Sequence, residues 1–103
     1  MRKILKNSNE TPEAVFAVTD RMAVGALRLM KEKGLKVPED IAIAGIGASE
    51  ISRYIEPSLT TVEYQNEKAG IEAAQWMLKL VENEKISEKL RKLDYRLIVR
   101  DSL

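Results

Sequence analysis

Few side chains in this 103-residue sequence could take part in chemistry. It contains no histidine and no cysteine, which removes the commonest general base, thiolate nucleophiles, disulfide frameworks and nearly all zinc chemistry. Carboxylates and lysines are plentiful, yet only Asp20 stands at the end of an apolar run, and no Asp/Lys or Ser/Lys pair is set beside it. Gly-x-Ser-x-Gly, the strained turn that exposes a nucleophilic serine, is absent. No catalytic residue, metal ligand or cofactor is therefore expected, and the remaining candidates serve recognition. Thr19 and Asp20 offer a hydroxyl and a carboxylate, which can touch a ligand or cap a helix by accepting from its orphan amides. In the small-residue loop Gly45-Ile46-Gly47-Ala48-Ser49, Gly47 and Ala48 either clear room for a bulky ligand or make a tight turn at positive φ. The loop is not a nucleotide fingerprint. Glu50 stands where the third glycine of Gly-x-Gly-x-x-Gly belongs, and no long helix follows at once.

Both places need regular structure to hold them, and the hydrophobic periodicity supplies it. Residues 1–6 read as the end of a helix, followed by a polar loop over 7–12. Ala14-Val15-Phe16-Ala17-Val18 is a short unbroken apolar run, the pattern of a strand buried on both faces in a parallel sheet. Met22, Ala23, Ala26, Leu27, Leu29 and Met30 then recur at helical spacing, with Thr19 or Asp20 as the cap and Gly34 as the stop. Pro38-Glu39-Asp40 turns the chain into a second buried strand over 41–46, which delivers the small-residue loop at its C-terminal end. A short helical turn over 50–54, an extended segment over 59–64 and a long helix over 66–82 follow. Ala69, Ala73, Trp76, Met77 and Leu80 share one face of that helix, where Trp76 reads as packing and not as a sugar-stacking platform. The charged stretch over 84–92 reads as a solvated loop, and Leu93, Tyr95, Leu97 and Val99 alternate as the inner face of a half-buried terminal strand. Strand–helix–strand alternation predicts an α/β fold with a parallel sheet. Ligands in such sheets sit beyond the C-terminal ends of the strands, where Thr19-Asp20 and residues 45–49 fall.

Composition narrows the function classes further. Apolar residues make up 45%, enough for a core, while the 32% charged residues are mixed in sign with a formal net charge of +1. Lys and Arg alternate with Asp and Glu, unlike the concentrated basic patch of a nucleic-acid module, so direct nucleic-acid binding by this segment is not expected. No apolar run approaches the roughly 20 residues of a bilayer span, and the basic start turns polar by Asn7 where a secretory signal would continue apolar. A soluble, cytoplasmic protein without membrane partners is the expectation.

From Val15-Phe16-Ala17-Val18-Thr19-Asp20-Arg21-Met22-Ala23-Val24-Gly25-Ala26-Leu27 onward, the sequence resembles the effector domains of the lactose/galactose repressor (LacI/GalR) family. The likeness continues through Gly34-Leu35-Lys36-Val37-Pro38-Glu39-Asp40-Ile41, Pro57-Ser58-Leu59-Thr60-Thr61-Val62, Ala69-Gly70-Ile71-Glu72-Ala73-Ala74 and Leu97-Ile98-Val99-Arg100-Asp101-Ser102. The resemblance implies a periplasmic-binding-protein-like type I fold, a doubly wound parallel sheet of which this chain is mainly the C-terminal lobe. Residues 14–64 and 91–103 would belong to that lobe, and the helix over 65–84 would pack in the N-terminal lobe. It further implies a small-molecule effector, a sugar or sugar phosphate, bound between two lobes in a sugar-responsive repressor. Operator DNA would be gripped only by an N-terminal helix-turn-helix that this chain lacks, and the chain is expected to be part of a longer protein.

The resemblance also assigns Tyr64 to the ligand site beside Thr19, Asp20, Gly47 and Ala48, the alternative for Tyr64 being an amphipathic rim residue. It assigns Met22, Ala26, Leu29, Ile51 and Ile55 to a homodimer interface, the alternative for Met22 and Leu29 being the core. Two departures stand out. Thr19 replaces a common Asn or Ser, and Gly47 stands where the family often carries a ligand-binding Asp. The Gly-x-Gly-x-Ser-Glu-Ile-Ser string is similar to that of sucrose-operon repressors. The rival readings are a transport-type periplasmic sugar-binding protein of the same fold and, from another class, a small α/β enzyme.

Overall fold

The computed structural model describes residues 1–7 and 11–103; Ser8, Asn9 and Glu10, the middle of the loop expected over 7–12, lie outside the described residues. The elements run α1 (Arg2–Asn7), β1 (Ala14–Phe16), α2 (Asp20–Glu32), β2 (Ala42–Ile46), α3 (Ile51–Tyr54), β3 (Thr60–Tyr64), α4 (Asn66–Val81) and β4 (Tyr95–Ile98). They divide into two packing units, Met1–Glu63 with Arg96–Leu103, and Tyr64–Tyr95.

The first unit is built on a sheet of order β1-β2-β3-β4. β1 lies parallel to β2, with Ala14 opposite Ala42 and Phe16 opposite Ala44, and β2 lies parallel to β3, with Ala44 opposite Thr60 and Ile46 opposite Val62. Contacts between β3 and the last segment run in opposite chain order (Glu63 with Arg96, Thr60 with Arg100, Ser58 with Asp101), so that edge is antiparallel. The fold class is thus the expected α/β one, with a parallel-dominated sheet.

Helix α2 forms where the periodicity places it. Thr19 has extended backbone and its Oγ1 accepts from the Met22 N–H at 3.2 Å, which satisfies one orphan donor of the first turn. The stripe Ala23, Ala26, Leu27 and Met30 packs on Ile43 of β2 and on Ala17, Ile41 and Leu59, which flank the strands. Full burial of Met30, Ile43 or Leu59 contributes about 1.5–3 kcal/mol each through apolar area removed from water.

Burial on the strands differs from expectation. In β1 and the residue pair after it, Val15 and Ala17 face α2, whereas Phe16 and Val18 are exposed, Phe16 by 62%. The apolar run is unbroken, but only one face of the sheet is covered by this unit's helix. β4 departs in the same way: Tyr95, Leu97 and Val99 are exposed, and Ile98 is the half-buried residue.

A buried serine closes the opposite end of the sheet. Ser102 donates its hydroxyl to the Ile43 carbonyl at 2.6 Å and accepts from the Thr60 N–H at 2.8 Å, while its own carbonyl accepts from the Ile43 N–H at 2.9 Å. One residue thereby joins β2 to β3 from outside both strands. In the second unit, α4 buries no residue; Trp76 is half-buried near Leu90 and Leu93, and Arg91 pairs with Glu72 at 3.1 Å.

Candidate functional site

Because β1 and β2 are parallel neighbours, their C-terminal ends lie side by side, and the two small segments singled out in the sequence meet there. Asp20 opens α2, where the exposed amides of the first turn favour a carboxylate. Its side chain nevertheless turns back over the sheet. Oδ1 accepts from the Thr61 hydroxyl at 2.5 Å, and Oδ2 accepts from the Ser49 N–H at 2.7 Å and the Ser49 hydroxyl at 2.8 Å. Asp20 is only 2% exposed. A charge this deeply buried persists only when well partnered, and three donors from two other elements partner it.

Gly45 makes this approach possible. A Cβ there would lie 2.5 Å from Asp20 Oδ1 and 3.1 Å from Asp20 Cα. Beyond it the chain enters the left-handed region at Gly47 (φ 126°) and Ala48 (φ 47°). For Ala48 this conformation costs about 1–2 kcal/mol. The turn is held by hydrogen bonds from the Gly47 N–H to the Val62 carbonyl (2.8 Å) and from the Ala48 N–H to Thr61 Oγ1 (3.2 Å). Ser52 donates to the Ser49 carbonyl at 2.6 Å as α3 begins, and the Arg100 guanidinium donates to Ser52 Oγ at 2.7 Å and to the Leu59 carbonyl at 2.8 Å. Beside this network Thr19, Asp20, Arg21, Val24, Ile46, Ser49 and Ile51 line a cleft of about 450 Å³.

A family profile described as "Periplasmic binding protein-like domain" matches residues 1–103. The chain belongs to that family. Among relatives of this periplasmic binding protein-like domain, the HTH-type transcriptional repressor PurR of Histophilus somni is 34% identical over 100% of the chain and 31% of its own length. The HTH-type transcriptional repressor CytR of Escherichia coli is 37% identical over 90% of the chain and 27% of its own. The chain therefore spans about a third of the length of the curated relatives it matches. Among solved structures, a complex of the transcriptional regulator CelR with cellobiose superposes with a TM-score of 0.88 at 33% identity, covering 98% of this chain and 31% of that one.

Within this domain the residues expected at the ligand site separate. Thr19, Asp20, Gly47 and Ala48 gather in the first unit, Thr19 exposed, Gly47 and Ala48 half-buried, and Asp20 turned inward. Tyr64, the last residue of β3, is exposed and falls in the second unit. Of the residues assigned to a dimer interface, Met22 and Ile51 are exposed, Met22 by 61%, and Ile55 is half-buried against the core. Ala26 and Leu29 are buried inside the first unit. Sequence reasoning missed the roles of Thr61 and Gly45. Thr61 read only as part of a β-branched extended segment and Gly45 only as part of the second strand and its loop; a glycine inside an otherwise apolar strand, where another backbone can approach closely, was the available signal.

Proposed function

We propose that this domain is the effector-sensing part of a sugar-responsive bacterial transcriptional repressor acting in the cytoplasm, with no catalytic role. Its ligand, a small saccharide or sugar phosphate, would be held partly by Thr19, Gly47, Ala48 and Tyr64, with Asp20 setting the wall from behind. The observation that carries this reading is the coupling of two neighbouring strand ends through the Asp20 carboxylate, which makes the tips of β1 and β2 one rigid surface at the position where open parallel sheets take ligands. Similarity to repressors, and to a regulator in complex with cellobiose, supports it.

Residues 14–64 and 91–103 would form most of one lobe, and α4, whose Met77, Leu78, Leu80 and Val81 are exposed, would pack in the other. Ligand favouring one lobe arrangement would bias DNA-binding heads elsewhere in the protein, by linkage. Exposed Met22 and Ile51 support a homodimer, which sedimentation of the intact protein tests. The decisive experiment is calorimetric titration of the intact regulator with sucrose, fructose, glucose and their phosphate esters, paired with operator release. If no small molecule alters operator affinity, the sensing role is lost.

A further inference from the structure

Helix α1 lies beside the last turns of α2, and between them the first unit opens a groove of about 510 Å³. Arg2 and Glu32 span the two helices, their side chains 3.9 Å apart, and Met1 packs against the core. The groove lies at the far end of α2 from Asp20: at 1.5 Å of rise per residue, Glu32 is about 18 Å along the axis. It is therefore separate from the cleft beyond the strand ends. Leu5, Leu29 and Leu35 form its floor, while Arg2, Lys6 and Lys33, all exposed, stand on its rim. Glu32 is the one acid of the lining, and Arg28 Nε, at 3.2 Å, and Arg2 already engage it.

Charge is uneven along the chain in the same sense. Residues 1–36 carry eight Lys and Arg against four Asp and Glu, one of them the buried Asp20, whereas the complete chain is nearly balanced at 17 and 16. The fold gathers cations that are scattered in sequence around three leucines. An apolar floor inside a charged rim is the anatomy of a protein–protein contact, and the sign of the rim selects the partner. A groove for single-stranded nucleic acid would also offer aromatic faces for its bases; the lining residues include none.

We propose that this groove docks an acidic peptide segment of another protein. The segment places a leucine-sized apolar side chain on Leu5, Leu29 and Leu35, and carboxylates opposite Arg2, Lys6 and Lys33. This docking does not depend on the effector-sensing reading, so the two stand or fall separately.

The test is fluorescence anisotropy on the intact regulator with a labelled, end-capped dodecapeptide of repeating Glu-Glu-Leu, beside Gln-Gln-Leu and Glu-Glu-Ser repeats. At low salt the Glu-Glu-Leu peptide is expected to bind at least about tenfold more tightly than either counterpart, and added salt to weaken it. Lys6→Glu with Lys33→Glu is expected to weaken it by about tenfold or more. Lys68→Glu with Lys79→Glu, the same charge change placed on α4, is expected to leave it within about twofold. Equal losses in the two double variants would mark general charge attraction and overturn the assignment. Equal binding of the three peptides, or binding by none, overturns it too. Oligothymidylate binding that is lost in the Lys6→Glu, Lys33→Glu protein while peptide binding is kept would make the partner a nucleic acid instead. If that protein does not fold, as read by far-UV circular dichroism, Lys6→Gln with Lys33→Gln replaces it; a loss of about threefold or more is then expected, and no loss overturns the assignment.

Discussion

Adding one methyl group at Gly45 should damage this domain more than most surface changes, and the size of the effect follows from the geometry. The new Cβ would sit 2.5 Å from Asp20 Oδ1, 3.1 Å from Asp20 Cα and 3.3 Å from Asp20 N. Rotating the Asp20 side chain relieves only the first of these contacts; the other two are backbone, so the start of α2 has to move off β2. Overpacking of this kind costs about 1–3 kcal/mol. Displacing the carboxylate also weakens its charge-assisted bonds from Ser49 and Thr61, a further loss of about 1.5–3 kcal/mol. Gly45→Ala is thus expected to destabilise by about 3–5 kcal/mol, a large share of the ~5–15 kcal/mol by which folded domains are stable. Urea unfolding of the intact regulator, followed by far-UV circular dichroism, reads this as a fall in midpoint. Gly25→Ala is the internal control. Gly25 lies exposed within α2, a Cβ there meets nothing within 4 Å, and the change should stabilise by about 0.5–1 kcal/mol through helix propensity. Opposite signs for the same chemical change at two glycines is the expected pattern; a Gly45→Ala protein within about 1 kcal/mol of its parent would refute the close-packing account.

Three further outcomes are expected from the same unfolding measurement. Ser102→Ala strands the Ile43 carbonyl and the Thr60 N–H in a site of 0% exposure, and should cost about 2–4 kcal/mol. Ala48→Gly relieves a left-handed alanine (φ 47°) and should hold or raise stability by up to about 1 kcal/mol; a clear loss would show that the methyl group packs. Arg96→Ala breaks a 2.6 Å pair with Glu63, but the Arg96 side chain is 71% exposed, so solvent screening keeps the change below about 1 kcal/mol.

Much of the fold is legible in the sequence because the first unit's core is made by two local patterns. The stripe ending at Met30 and the run from Ile41 each fix an element without reference to distant residues, and their alternation implies a parallel sheet. Burial is less legible. Phe16, Val18 and Leu97 are as apolar as Ile43, and sequence cannot tell an apolar face covered by a helix of the same unit from one that is not. The fold brings Thr19-Asp20 and the Gly47-Ala48 turn, both singled out by residue type, to neighbouring strand ends, but residue type does not tell which of these side chains turns inward. Whether a carboxylate faces a ligand or the interior depends on partners far along the chain: Ser49 and Thr61 lie 29 and 41 residues from Asp20. Such contacts leave no periodic trace.

The Ser102 bridge has a consequence for how the first unit comes into being. Its partner carbonyl at Ile43 lies 59 residues back, so a nascent chain can lay down β1, α2, β2 and β3, with β2 and β3 already paired, and still lack the hydroxyl that satisfies the Ile43 carbonyl and the Thr60 N–H. Closing so long a loop is entropically unfavourable and slow. These two buried groups are therefore satisfied only once Ser102 has docked, and a polypeptide clipped anywhere between α4 and Arg100 would be left with both unpaired.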